Sequence, residues 1–357
     1  MRRICYWFCV VLIGSCLAAC DSTINTNESD INVSHPIPIF PSQEISSNYV
    51  HNLRWSVDSQ ILFFKVDSVL WTYGILTEIT EELASDNLGS KLESEQAMIL
   101  SATPSTLNNI PDGFYILTAS PSGRKALVYQ VSSISGRNPS EKYEGNPYVL
   151  DVWIWEDGTL KSPGTIEICG PNQYIWAEGE NFVGIQAPLA PAHCDQSSGW
   201  LIDISQNEVF SILPMEIYHA NSTLHSFSPE SDKLLIRYGF SDERGPASSL
   251  QIFDLETHEV SQLTTPVQTD PVDWFSNNNL LVLYKEQLST EVRKLAFLDI
   301  KSNQIVDIID PEDLTTLNGQ YIAEATLSPD KNWIAFTIEN QRYETSSLWI
   351  IQLNSDK

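Results

Sequence analysis

Beyond residue 20, the groups that could do covalent, metal or acid–base work are few in kind. They are Cys169 and Cys194, six histidines (His35, His51, His193, His219, His225 and His258) and 46 carboxylates. No histidines stand at H-E-x-x-H spacing or as an H-x-H pair, the usual patterns of a metal-binding helix or strand. His193-Cys194-Asp195 sets three ligand types side by side. Adjacent residues alternate in direction and rarely hold one ion, so no metal or other cofactor is expected. There is no G-x-S-x-G elbow to present a nucleophilic serine and no glycine-rich phosphate loop. With so many carboxylates, no single pair stands out as the two acids of a glycosidase.

Such groups act only where a fold holds them, and the signal for the fold is repetition. A turn followed by a β-rich run occurs six times. The copies are Trp55-Ser56-Val57-Asp58 before QILFF, Ser120-Pro121-Ser122-Gly123 before KALVY, and Trp176-Ala177-Glu178-Gly179 before NFVGI. They continue as Phe227-Ser228-Pro229-Glu230 before KLLIRY, Trp274-Phe275-Ser276-Asn277 before NLLVLY, and Leu327-Ser328-Pro329-Asp330 before NWIAF. Measured from residues 57, 121, 178, 229, 277 and 329, their spacings are 64, 57, 51, 48 and 52 residues. Downstream of each lies a strand ending in a polar turn, as in LQIFDLETH (250–258) and LAFLDIKSN (295–303). Proline presets φ, while Ser and Asp bond the local backbone, so these turns join short strands.

About four strands per unit at this period predict an all-β, six-bladed β-propeller with four antiparallel strands per blade. Seven blades remain open if residues 79–117 contain a degenerate copy, and residues 79–100 are the one place where a helix fits. The last copy lacks an outer strand. Residues 36–40 (PIPIF) have no blade of their own and are expected to supply it, closing the ring. Pro36 and Pro38 suit an edge strand. All nine Trp beyond residue 19 fall on repeat positions and are expected to pack between blades.

The FSPE and LSPD turns followed by K-x-x-I resemble those of TolB-like and WD-repeat-like β-propellers of bacterial envelopes. The resemblance covers residues 37–357; the copies at 57 and 178 depart from Ser-Pro-Asp. It implies a module that mediates protein contacts. Related propellers also precede the catalytic domain of prolyl oligopeptidase-like peptidases. This sequence ends inside its last copy, so no such domain is expected, and the Ser-x-Asp-x-Gly-x-Thr-Trp box of sialidases is absent.

The N-terminus reads as an address. Arg2 and Arg3 precede an uncharged apolar run to Leu17, then Ala18-Ala19-Cys20, the layout of a secretory signal. Cysteine directly after Leu-Ala-Ala resembles the lipobox of bacterial lipoproteins, which implies cleavage before Cys20 and acylation of that residue. Multiple acyl chains anchor stably. Residues 1–19 are thus expected to be a signal peptide, residues 20–36 a flexible tether, and residues 37–357 the propeller. The protein is expected on the extracytoplasmic side of a bacterial cell membrane, held by its lipid.

The charge agrees with that placement. The chain has 20 Lys+Arg against 46 Asp+Glu, a net −26, and loss of residues 1–19 makes it −28. Nucleic acid is excluded as a partner because its phosphates demand a basic surface. An envelope location permits oxidation, and propeller topology puts Cys169 and Cys194 on one face, so a disulfide between them is expected. It would be worth about 3.5 kcal/mol by loop entropy.

Loop lengths single out one face. The segments 132–147, 187–198, 240–249, 286–293 and 339–347 join second and third strands and are long. They carry Arg137, Arg244, Arg342 and Tyr343, conspicuous where basic residues are scarce. Long loops on a rigid scaffold concentrate binding residues, and paired arginines can grip a carboxylate bidentately. The expected function is non-catalytic binding of a protein or glycan by this face. The alternative is an envelope hydrolase or lyase acting in the central funnel, where first strands offer His225 and Glu324.

Overall fold

The computed structural model describes residues 32–40, 49–83, 110–131, 148–168, 173–186, 199–212, 221–242, 245–265, 268–286, 292–310, 320–340 and 345–354. Every helix or strand among them is a strand. After two N-terminal strands, β1 (Asn32–Val33) and β2 (Ile37–Phe40), the chain builds antiparallel units in sequence. Unit 1 is β3 (Val50–Trp55), β4 (Ile61–Val66), β5 (Val69–Gly74) and β6 (Ile79–Glu82). Unit 2 is β7 (Tyr115–Ala119), β8 (Lys125–Val131), β9 (Tyr148–Glu156) and β10 (Thr159–Ile168). Unit 3 is β11 (Gln173–Trp176), β12 (Phe182–Gln186), β13 (Gly199–Asp203) and β14 (Glu208–Ser211).

Unit 4 is β15 (Asn221–Phe227), β16 (Lys233–Asp242), β17 (Gly245–Asp254) and β18 (Val260–Gln262). Unit 5 is β19 (Gln268–Trp274), β20 (Asn279–Lys285), β21 (Lys294–Asp299) and β22 (Ile305–Ile309), joined to unit 4 by one parallel bridge, Ser248 to Gln268. Unit 6 has three strands of its own: β23 (Gln320–Leu327), β24 (Trp333–Asn340) and β25 (Thr345–Asn354). Its fourth position is filled from the N-terminus. β2 pairs antiparallel with β25 (Ile37 with Ile350, Pro38 with Trp349), and β1 continues along it (Asn32 with Asn354).

Three details differ from the sequence reading. Pairing starts at Asn32, upstream of the tether boundary at residue 36. Segment 240–249 is largely ladder, with Asp242 opposite Gly245, because the β16–β17 pairing runs on to that pair. Ile79–Glu82 is strand rather than the start of a helix, since it satisfies the edge of β5.

The turn chemistry is what the sequence demands. Ser56 Oγ donates to Asp58 at 2.6 Å and accepts from Ile61 N at 2.9 Å. Ser328 repeats this with Asp330 and Trp333 N, and Ser228 with Asp232 and Lys233 N. Counted from Ser56, Ser120, Ala177, Ser228 and Ser328, the fourth turn residue lies in the left-handed region: Ser59 (φ 60°), Gly123 (65°), Glu180 (55°), Ser231 (57°) and Lys331 (62°). A further turn between third and fourth strands is set by an aspartate. Asp254 accepts from Glu256 N and Thr257 N, and Asp299 from Lys301 N and Ser302 N.

Apolar packing runs between units. Leu127, Val152 and Ile154 of unit 2 meet Val183 and Ile185 of unit 3. Leu201 of unit 3 meets Leu234 and Ile236 of unit 4. Leu235 meets Leu280 and Val282 across units 4 and 5, and Leu281 meets Phe336 across units 5 and 6. Unit 6 then returns to unit 1, where Ala335 and Ile350 pack with Leu62 and Phe64. The turn tryptophans staple neighbouring units. Trp176 Nε1 donates to Thr118 (3.1 Å), Trp274 Nε1 to the Ser226 carbonyl (3.3 Å) and Trp55 Nε1 to the Thr326 carbonyl (3.5 Å).

A belt of turn-to-turn bonds follows the same order. The backbone N–H at the third turn residue reaches a side chain in the next unit's turn. Asp330 N donates to Ser59 Oγ (3.0 Å), Ser122 N to Glu180 (2.6 Å), Gly179 N to Ser231 Oγ (3.5 Å) and Glu230 N to Asn277 (3.4 Å). Between units 1 and 2 the accepting position is Gly123, which has no side chain to offer.

Candidate functional site

First strands of units 4, 5, 6 and 1 lie side by side. All four, and the first strand of unit 2, carry a bulge: His51/Arg54, Ile116/Thr118, Leu224/Ser226, Pro271/Asp273 and Ile322/Glu324. A bulge re-aims a side chain out of the pleat alternation. In β15 the bulged residue is His225, one of the two titratable groups singled out in sequence. Its Nδ1 lies 2.9 Å from Ser226 Oγ, and its ring donates to the Pro271 carbonyl of β19. Burial pushes the imidazole below its ordinary value, against the opposite pull of Asp273. His225 is therefore mainly neutral at pH 7. The acceptor it finds across the interface is a backbone carbonyl, whereas the orienting group of a triad is a carboxylate.

Beside it lies an ionic cluster drawn from units 4 and 5. Asp270 of β19 sits between Arg237 of β16 and Arg293, the residue before β21. Arg237 Nη2 is 2.6 Å from Asp270 Oδ1, and Arg293 Nη2 contacts Oδ2. The Arg237 contact is ionic but poorly aligned, leaving Arg237 Nε and Asp270 Oδ1 buried without a directed hydrogen bond. The Arg293 carbonyl accepts from Ile322 N of β23, tying that arginine to unit 6. Below the cluster, Lys331 Nζ neutralises Asp273 at 3.3 Å.

Glu324, the second sequence candidate, is committed elsewhere. Its carboxylate accepts from Asn52 N (2.8 Å) and Leu53 N (2.9 Å), the amides freed by the β3 bulge. A third cluster surrounds Lys294, whose ammonium lies 2.8 Å from Glu286, 3.0 Å from Asp310 and 3.5 Å from Asp307. Glu286 and then Asp310 push its pKa upward, so a fixed cation already occupies that acidic pocket. Among the described residues no group of three His, Cys, Asp or Glu could hold a metal.

Cys20, Cys169, Cys194, Arg137, Arg244, Arg342 and Tyr343 lie outside the described residues. The arginines that the fold does bring together, Arg237 and Arg293, were not among the sequence candidates. Their signal was present: Arg237 is a charge inside the apolar strand KLLIRY, and Asp270 precedes Pro271 in a first strand.

No protein-family model and no curated protein matches this sequence. Distant likenesses exist among solved structures. The β-propeller domain of the Trilobed protease from Pyrococcus furiosus is 13% identical, covers 87% of this chain and 86% of its own, and has a TM-score of 0.40. An oligogalacturonate lyase in complex with manganese is 12% identical over 87% and 78%, with a TM-score of 0.42. TolB from Acinetobacter baumannii is 10% identical over 86% and 80%, with a TM-score of 0.34. The described residues are all-β and form six four-stranded antiparallel units.

Proposed function

We propose that this chain is a lipid-anchored, extracytoplasmic binding module. In this reading the six units form a six-bladed propeller that β1 and β2 close on β25. Cys20 carries the lipid, Cys169 and Cys194 form a disulfide, and the face bearing Arg137, Arg244, Arg342 and Tyr343 receives a protein or glycan partner. The observation that carries the reading is the state of the charged groups on and beside the first strands. Arg237 and Arg293 pair with Asp270, Lys331 with Asp273, and Glu324 with two backbone amides. Such pairing builds a rigid recognition surface and supplies no chain of nucleophile, base and orienting acid.

Photo-crosslinking in the producing cell tests it. Crosslinkers at positions 137, 244 and 342 should trap one recurrent partner, while one at Val57, exposed on the first-turn side, should not. Equal trapping from both sides would overturn the assignment. Separately, Cys20→Ala should move the protein from the membrane fraction to the soluble fraction.

A further inference from the structure

We infer that Arg237 and Arg293 form a receptor for a carboxylate carried on a slim aliphatic stem, the acidic side chain or C-terminus of a partner polypeptide, with Asp270 as its internal stand-in. The inference rests on the binding reading above and names the chemistry of its ligand.

Three observations lead to it. First, among the described residues the site has surplus positive charge: two guanidinium groups share one carboxylate, Lys331 already neutralises Asp273, and burial keeps His225 neutral. A cationic focus is notable on a chain of net −26, because surrounding acids would otherwise repel an anionic ligand. Second, the internal pairing is imperfect. Arg237 Nε and Asp270 Oδ1 are buried without a directed hydrogen bond, although the ions touch at 2.6 Å. A well-made Arg–carboxylate pair is bidentate and uses both. Third, the cluster is reachable and rigidly mounted. The Arg237 side chain is 41% exposed and Arg293 22%, against 18% for Asp270. Strand residues of units 4 and 5, with a backbone bond to unit 6, hold them in place.

Asp270 shows what fits: one carboxylate oxygen to each guanidinium, delivered on a single methylene. A ligand acid of the same shape replaces it and draws the arginines into better alignment, while Asp270 turns toward water. A carboxylate borne directly on a sugar ring lacks that slender stem.

The test is calorimetric titration of the whole folded domain with acetyl-Gly-Asp-Gly-amide and its Asn counterpart. The Asp peptide is expected to bind at least tenfold more tightly, and Asp270→Asn, which removes the competitor, should strengthen that binding about tenfold. Arg237→Gln and Arg293→Gln should each abolish the preference. Urea unfolding of each variant separates lost folding from lost binding. No preference for Asp over Asn, or unchanged affinity in Asp270→Asn, overturns the inference. Tighter binding of glucuronate than of the peptide overturns the polypeptide assignment. If the crosslinked partner persists in Arg237→Gln and Arg293→Gln, the binding reading stands and this site is not its receptor.

Discussion

Two interfaces each hold a partly buried carboxylate on a first strand, and they use it differently. Between units 6 and 1, Glu324 accepts from the amides of Asn52 and Leu53, with Ser346 Oγ receiving Val50 N and Ser59 Oγ receiving Asp330 N alongside. All of these bonds involve the main chain, so they are fixed once the fold forms. Between units 4 and 5, Asp270 is held by two guanidinium groups on long side chains. Side-chain partners can be exchanged while backbone partners cannot. The first arrangement locks neighbours together, and the second leaves a surface whose contacts a ligand can trade.

Perturbations should separate the two interfaces by size of effect. Deleting residues 32–40 should be the most damaging. It removes the partner of β25 and unpacks the partly buried Val33 and Ile39 from their clusters, a loss of about 2–3 kcal/mol where full burial of each would be worth roughly 1.5–3. The melting temperature should fall by many degrees, and an unchanged melt would dismiss the locking role. Glu324→Ala comes next, since orphaning amides of the β3 bulge costs about 1–3 kcal/mol in a urea titration. Asp270→Asn should cost less than Glu324→Ala, because the exposed faces of both arginines regain water; a larger cost would erase the contrast.

Acid should act on the second interface first. Burial depresses the His225 pKa in the folded state, so the unfolded chain binds its proton more readily. That contribution is complete above the unfolded value near 6.5 and is lost as pH falls from there through the folded value. Protection factors for hydrogen exchange at β15 and β19, taken against the intrinsic rate at each pH, should therefore fall at mildly acidic pH while those of β3 hold, and His225→Asn should remove the difference. Asp254, held low first by the Thr257 amide, has the same sign but titrates in a lower window, below about pH 4. The smallest effect should be Ser59→Ala, about 1 kcal/mol for one belt bond.

Much of the scaffold was legible in the sequence. Ser-Pro-Asp turns and β-branched runs act locally, so copies such as Ser328-Pro329-Asp330 announced their strands directly. The pairing of PIPIF with β25 followed from a missing strand. The reach of β1 did not, because Asn32 and Val33 look like tether until a ladder edge is available to them. The site was less legible for a physical reason. Arg237 of unit 4 meets Asp270 and Arg293 of unit 5 only after packing, and the cue of loop length drew attention to other arginines, although Arg293 ends the long segment 286–293. His225 and Glu324 were visible as charges in first strands, but only the fold shows that Glu324 serves a bulge.

The pairing of β1 and β2 with β25 also sets a timetable. The strand made first can pair only with the strand made last, and contacts this distant in sequence form slowly. Until residues 345–354 arrive, β2 has no ladder partner and unit 6 keeps an open edge. A chain arranged this way keeps that edge unpaired until residues 345–354 have been made.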